Sequence, residues 1–303
     1  MISLVCPMYN EESMLEVFFN EIFKAMCDEE DYEIICIDDG STDNTLPLLL
    51  SIKSSCSRLR VISFSRNFGK EAALTAGLQH AKGDAIIPID TDLQDPPEVI
   101  GILIQEWRRG FQVVLAKRKE RLHDSWIKRT SAKFFYKLHN KLSHQQIPNN
   151  VGDFRLMDRK VVDAINLLPE RQRFMKGIFS WVGFRTTIVT YSRPARVFGC
   201  TKFNFWQLWN FALEGVTSFS TVPLKIWSYF GAIISLSSFF YSLVIIFRTT
   251  VYGVDVPGYA SLLVAVLFLG GTQLIGIGVL GEYIGRIYME VKFRPLYIID
   301  REY

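Results

Sequence analysis

Ile86–Glu98, IIPIDTDLQDPPE, decides how this chain is read. An apolar run breaks off into three carboxylates, Asp90, Asp92 and Asp95, as a buried parallel strand does when it delivers acidic groups to its C-terminal edge. Open α/β sheets bind their ligands at that edge. Carboxylates two positions apart suit a hard divalent cation whose other ligands are water and substrate phosphates, so the segment points to a nucleotide-diphosphate site. Local chemistry offers a second reading, with Asp95 as a helix N-cap, Pro96 at the first helical position and Glu98 in the first turn. Capping accounts for Asp95 and leaves Asp90 and Asp92 unexplained.

The flanking sequence repeats the plan. Ile2–Cys6 is a short strand closed by Pro7, followed by the polar turn Tyr9-Asn10-Glu11-Glu12 and a helical pattern over 13–26. A strand over 32–37 ends in Asp38-Asp39-Gly40-Ser41-Thr42-Asp43, whose last residues are N-cap candidates for a helix over 44–55. A strand over 61–64 runs into the loop Ser65-Arg66-Asn67-Phe68-Gly69-Lys70 and a helix ending at Ala81. Strand 84–89, helix 97–109 and strand 113–116 complete the series, and Gly152–Leu156 reads as a turn into another short strand. Strands alternating with helices predict an α/β fold with a mostly parallel, Rossmann-like sheet covered on both faces. Neither G-x-G-x-x-G nor G-x-x-x-x-G-K-[ST] occurs, which disfavours dehydrogenases and P-loop enzymes. Asn10 with Glu11, Asp38 with Asp39, and Asp90 with Asp92 instead stand at strand ends that converge on one sheet edge.

Polarity is unevenly distributed over the 303 residues. Segments 226–247 and 258–281 carry no charge, and each is long enough to cross ~30 Å of hydrocarbon as a helix. Their tandem arrangement predicts a transmembrane hairpin after a large N-terminal domain. The loop between them carries only Arg248 and Asp255, whereas Lys225 precedes the hairpin and Arg286, Lys292, Arg294 and Arg301 follow it. That bias places the N-terminal domain and both termini in the cytoplasm. The N-terminus has too short an apolar run for a signal peptide. Asn204–Phe219 is rich in aromatics and fits an amphipathic helix in the membrane interface or one packed on the soluble domain. The expected organisation is therefore a domain over 1–203, an interfacial segment over 204–225, a hairpin over 226–281 and a cytoplasmic tail over 282–303. A net charge of +3 gives no argument for nucleic acid. The basic segment 124–142, with Lys128, Arg129, Lys133 and Lys137, is either a solvated helix face or a surface for lipid phosphate. Cys6, Cys27, Cys36, Cys56 and Cys200 have no metal-type spacing and are expected to be free thiols.

Together, Pro7-x-Tyr9-Asn10-Glu11, Asp38-Asp39-Gly40-Ser41-x-Asp43, Asp90-x-Asp92-Leu93-Gln94-Asp95-Pro96, Arg66–Glu71, Gly152-Asp153-Phe154-Arg155 and Gly-x-Thr-Lys at 199–202 resemble the inverting glycosyltransferases of family 2, which have a GT-A fold. With the hairpin, the chain is most similar to the polyprenyl-phosphate group of that family, in particular the bactoprenol glucosyltransferases of phage-type O-antigen glucosylation, or serotype conversion. The resemblance implies transfer of glucose from UDP-glucose to undecaprenyl phosphate at the cytoplasmic face of the bacterial inner membrane. It also implies donor-nucleotide contacts from Pro7, Tyr9, Asn10, Glu11, Asp38 and Asp39, and Mg²⁺ or Mn²⁺ held by Asp90, Asp92 and Gln94. Arg155 and Lys202 would neutralise the departing UDP, and Arg118 and Arg129 would receive the acceptor phosphate. Asp153 matches a position proposed as a base in similar enzymes, and it could equally orient Arg155. A GDP-mannose or UDP-amino-sugar donor on the same fold, and a non-enzymatic membrane scaffold, are the competing expectations. Small residues Gly270, Gly271, Gly276, Gly278 and Gly281 would permit close helix packing in a homo-oligomer. A lipid-sugar flippase and an O-antigen glucosyltransferase are the partners the resemblance implies.

Overall fold

All of the first strand, β1 (Ile2–Met8), is buried except Pro7, and so is every residue of β2 (Tyr32–Asp38). Strands apolar on both faces require cover on both. The structure is a computed structural model and describes residues 1–118, 151–171, 173, 175–191, 222–253 and 258–303. Four further strands follow, β3 (Leu59–Phe64), β4 (Ala85–Pro88), β5 (Val113–Arg118) and β6 (Val151–Asp158); β7 (Thr186–Tyr191) and β8 (Ile299–Glu302) come later in the chain. They form an eight-stranded sheet in the order β7-β5-β6-β4-β1-β2-β3-β8. Pairing is parallel for β1 with β2 and β4, β2 with β3, and β5 with β7, and antiparallel where β6 and β8 join.

Two apolar layers flank the sheet. Helix α1 (Leu15–Ala25) places Leu15, Phe18, Phe19 and Ile22 on one stripe by their helical spacing. With α2 (Thr45–Ser55) and α4 (Val99–Arg108) it covers Leu4, Cys6 and Cys36. The opposite face, with Val5, Ile35 and Ile37, is covered by α3 (Lys70–His80), α5 (Arg159–Asn166) and α6 (Met175–Trp181). Close approach of α3 to β1 depends on Gly77, since a Cβ there would run into the Val5 side chain.

From β1 the chain builds outward through β2 and β3, then returns to place β4 on the other flank of β1. The crevice between the C-terminal ends of β1 and β4 is therefore the topological switch point, where ligands of open α/β sheets bind. Register brings Met8 beside Asp38 and Val5 beside Pro88, so the residues after β1, β2 and β4 share that edge.

The uncharged segments become the long helices α7 (Val222–Tyr252) and α8 (Tyr259–Val291), which pack on each other. Gly276 sets one point of approach, because a Cβ there would enter the Trp227 ring. Among the described residues, no helix is long and apolar enough to cross a membrane, so the expected spans over 226–247 and 258–281 are met only as helices. Positions within both helices, and residues 204–221 of the interfacial segment expected over 204–225, lie outside the described residues. Within the expected tail over 282–303, α8 runs on to Val291 and β8 joins the sheet. β8 pairs antiparallel with β3, Tyr297 stacks on Phe64 at 4.9 Å, and the Glu290 carboxylate accepts the Arg171 amide at 2.9 Å. Cys6, Cys27, Cys36 and Cys56 are free, as expected, and Cys200 lies outside the described residues.

At the end of the sheet opposite the switch point, buried Glu33 ties the chain together. Its carboxylate accepts hydrogen bonds from Ser3 Oγ at 2.6 Å, the Lys82 amide at 2.6 Å and Arg60 at 3.1 Å. Burial pushes this carboxyl up, and those donors outweigh it, leaving the group below its ordinary value of 4.5. A depressed carboxyl contributes stability that is complete above its ordinary value and lost as pH falls through the folded-state value. Glu33→Gln should therefore flatten the decline in unfolding free energy between about pH 5 and pH 2 in urea titrations. An acid limb as steep as that of the wild type would remove Glu33 from the account.

Candidate active site

The loops after β1, β2 and β3 hold one another before they can hold anything else. Asn10 is in the left-handed region at φ 54, which asparagine tolerates through local hydrogen bonding. Its Oδ1 accepts the Thr42 amide at 2.8 Å and its own amide donates to Ser41 Oγ at 3.0 Å. The Glu11 amide donates to Thr45 Oγ1 at 2.9 Å, which fixes the β1 loop to the start of α2. Gly40, at φ 66, has no alternative residue, since a Cβ would meet the Arg66 backbone.

The paired acids at the end of β2 divide the work. Asp38 is buried and accepts from the Ser41 amide at 3.1 Å and Ser63 Oγ at 3.0 Å, which places it in the frame beneath the site. Asp39 accepts the Phe68 amide at 2.7 Å with one oxygen and the Gly69 amide at 2.9 Å with the other. Burial raises the Asp39 carboxyl above its ordinary range, and the two amides oppose that rise. Asp39 thus clamps the 65–70 loop and positions Lys70, the first residue of α3.

A cleft of about 300 Å³ opens at the switch point. Pro7, Tyr9, Glu11, Asp39, Lys70, Asp90 and Asp92 are among the residues that line it. Lys70 Nζ lies 2.7 Å from each oxygen of Asp90 and 3.1 Å from Asp153 Oδ2. Burial works against the Lys70 charge, and the two carboxylates outweigh it, holding the ammonium above its ordinary range. Asp90 is also raised, by burial first and by its neighbours Asp153 and Asp95, against the pull of Lys70. Asp92 accepts the Gln94 backbone amide at 3.1 Å and Gln94 Nε2 at 2.7 Å, so Gln94 supports Asp92 from within the turn.

Asp95 differs from its expected role as a helix cap. Helix α4 starts at Val99 with no side-chain cap, and Asp95 is 2 % exposed. It accepts Arg118 at 3.1 Å and the Tyr191 hydroxyl, while Arg118 Nε donates to Tyr191 Oη at 3.0 Å. A charge-assisted network that joins the turn to two neighbouring strands, β5 and β7, outweighs a local cap at a helix end. Burial, followed by Asp95, pushes the Tyr191 hydroxyl up to about 12. Arg118 is thus already engaged by Asp95 and Tyr191 at the position expected to receive an acceptor phosphate.

Asp153 and Arg155 share a face of β6 by strand alternation. Asp153 reaches Lys70, whereas Arg155 is buried, with its guanidinium 4.2 Å over the Phe179 ring and one nitrogen donating to the Gly152 carbonyl at 2.6 Å. Its Nε is buried with no hydrogen-bond partner among the described residues. Burial lowers the Arg155 guanidinium to about 10, against the pull of Asp153. Arg129 and Lys202 lie outside the described residues. The strand-end reasoning missed Lys70 as a site residue; its signal was the Arg66-Asn67-Phe68-Gly69-Lys70 loop, read only as part of a motif. Tyr191 had no signal of its own.

The sequence pattern described as Glycosyl transferase family 2 matches residues 3–165, the segment that builds this cleft. The chain belongs to that family. It is 56 % identical over 304 residues to the SfII prophage-derived bactoprenol glucosyl transferase of Shigella flexneri, covering 100 % of this chain and 98 % of the relative. An uncharacterized glycosyltransferase of Synechocystis, sll0501, is 54 % identical over 300 residues, covering 99 % and 94 %. The crystal structure of Mycobacterium tuberculosis glucosyl-3-phosphoglycerate synthase aligns at a TM-score of 0.49 with 21 % identity, covering 72 % of this chain and 78 % of that one. The sheet order with its mixed edges is the GT-A α/β arrangement that the family implies.

Asp39→Ala leaves the Phe68 and Gly69 amides without their acceptor. The expected loss is about 1–3 kcal/mol in urea denaturation, with faster amide exchange at both residues. Unchanged exchange there would show that the loop holds without the clamp.

Proposed function

We propose that this chain is an inverting, membrane-anchored glucosyltransferase that moves glucose from UDP-glucose to undecaprenyl phosphate. The observation that carries the reading is the acidic switch-point cleft, with Asp90 and Asp92 at its rim, in a chain matching a bactoprenol glucosyl transferase along its whole length. Pro7, Tyr9, Glu11 and Asp39 supply the wall against which the uridine packs, and Asn10 serves that wall by fixing its loop.

Divalent-cation dependence belongs to the same proposal. Among the described residues, no group of three or more His, Cys, Asp or Glu is arranged to hold a metal ion. Mg²⁺ or Mn²⁺ in a phosphate site does not need such a cage, because one or two carboxylates suffice when substrate phosphates and water complete the shell. Asp90 and Asp92 are hard oxygen donors at the cleft, with Gln94 holding Asp92 from within the turn, and a cation, the Lys70 ammonium, already rests on Asp90. The residues therefore fit the ion. Bound there, it would neutralise charge developing on the departing diphosphate.

The chain's own residues do the rest. Asp92, held by Gln94, and Asp90, held by Lys70, fix the direction from which the diphosphate is approached. The acceptor oxygen forms its bond to the anomeric carbon as the bond to UDP breaks, and UDP leaves with the electron pair on the opposite face. A phosphate monoester has a second pKa of ~6, so the acceptor is mostly ionised near neutrality and needs little help from a base. Asp153, 3.1 Å from Lys70, serves that ammonium and the polarity of the floor. In this reading Arg118, Arg129 and Lys202 meet the acceptor and product phosphates.

The proposed anchor is the α7–α8 hairpin, entering the bilayer over 226–247 and 258–281 with the catalytic domain on the cytoplasmic side. Support comes from the absence of charge in both segments and from large apolar side chains left exposed, among them Ile233, Phe240 and Phe247 on α7 and Leu274, Ile277 and Leu280 on α8. The tail strand β8 would then hold the cleft at a set height above the membrane.

Purified full-length protein in detergent should convert UDP-glucose and undecaprenyl phosphate to a lipid-linked glucose, read by mass spectrometry, in preference to GDP-mannose or UDP-amino sugars. Asp92→Ala should lower turnover by roughly 10²-fold or more while leaving the melting transition in place. Excess EDTA should do the same reversibly. Full turnover in EDTA would sink the metal role, and exclusive use of another donor would sink the glucose assignment.

A further inference from the structure

Lys70 poses a problem of place for any cation entering the cleft. Its ammonium stands 2.7 Å from both oxygens of Asp90, in the position that a cation straddling that carboxylate must take, and it is anchored from below by Asp153 at 3.1 Å. Charge alone does not keep a metal out, because the carboxylates of Asp90, Asp92 and Asp153 outnumber the ammonium beside them. Occupancy does. An incoming ion must break the Lys70–Asp90 pair, which takes from the ammonium the nearer of its two carboxylates and leaves it Asp153. A nucleotide diphosphate in the same cleft changes that balance, since its oxygens offer Lys70 a new acceptor while adding ligands for the metal.

We propose that Lys70 is an internal counter-cation that competes with the divalent ion for Asp90, so that metal and nucleotide enter the cleft together rather than in succession. The inference rests on the metal-dependent reading above. Lys70 stays tethered by Asp153 and turns from Asp90 to the diphosphate when the metal arrives, which makes it a ligand switch on α3 rather than a fixed surface charge. The positioning of that switch depends on Asp39, which pins the two residues before it through their amides. Linkage makes the consequence reciprocal: UDP must raise metal affinity by the same factor by which metal raises UDP affinity.

The test is a Mn²⁺ titration of the full-length protein in detergent, with free Mn²⁺ read by electron paramagnetic resonance, with and without saturating UDP. Wild type should bind Mn²⁺ at least about tenfold more tightly with UDP than without. Lys70→Gln should bind Mn²⁺ alone about tenfold more tightly than wild type, and the gain from UDP should shrink by a similar factor. Lys70→Arg keeps the charge and presents a fork that suits a carboxylate, so Mn²⁺ binding without UDP should stay as weak as in wild type. Melting curves establish that each variant is folded. Mn²⁺ binding in Lys70→Gln no tighter than in wild type, with the gain from UDP undiminished, overturns the inference and leaves the metal-dependent reading standing. Tightened binding in Lys70→Arg equally overturns it. A wild type that takes up no Mn²⁺ even with UDP removes the metal reading, and the competition with it.

Discussion

Negative charge gathered at the end of a parallel sheet is the constraint on which this molecule turns. Asp38, Asp39, Asp90, Asp92, Asp95 and Asp153 stand at or near one edge, and a carboxylate drawn out of water is unstable unless something positive or hydrogen-bonding meets it. The structure meets each by a different device. Backbone amides of the 65–70 loop serve Asp39, a serine amide and a serine hydroxyl serve Asp38, and Gln94 serves Asp92. Arg118 with Tyr191 serves Asp95, while Lys70 serves Asp90 and Asp153 together.

The nature of each partner separates frame from function. Asp38 is buried beneath the cleft with its oxygens bonded to Ser41 and Ser63, so its loss would be felt as stability. An acid matched by a long, rotatable ammonium can exchange that partner for a ligand once the ammonium finds another acceptor. Asp90 is in the second position, and Asp92 sits in the cleft beside it. The same logic explains why Asp95, adjacent in sequence to Gln94, belongs with β5 and β7 rather than with the cleft.

The fold and the acidic edge were legible in the sequence because their signals are local and periodic. β1, β2 and β4 are short apolar runs bounded by polar turns, and the stripe Leu15, Phe18, Phe19 and Ile22 repeats at helical spacing. Side-chain partnerships were less legible. Lys70 and Asp153 are far apart in the chain, and so are Asp95 and Tyr191, so neither pairing leaves a periodic trace. The tail shows the same limit, since Ile299–Glu302 is too short and too polar to read as a strand until β3 offers it an edge.

The sequence by itself determined the alternation of strands and helices, the acids at the strand ends, the missing phosphate-loop glycines and the uncharged C-terminal segments, all of which depend on composition and spacing within a few residues. Only the tertiary structure decided that β4 returns beside β1 to make the switch-point cleft, that Asp95 is a buried partner of Arg118 and not a cap, and that Lys70 occupies Asp90. The physical reason is that these outcomes are choices among competing partners for one charge. Such a choice is settled by distance and desolvation, which exist only once the chain has brought its remote segments together.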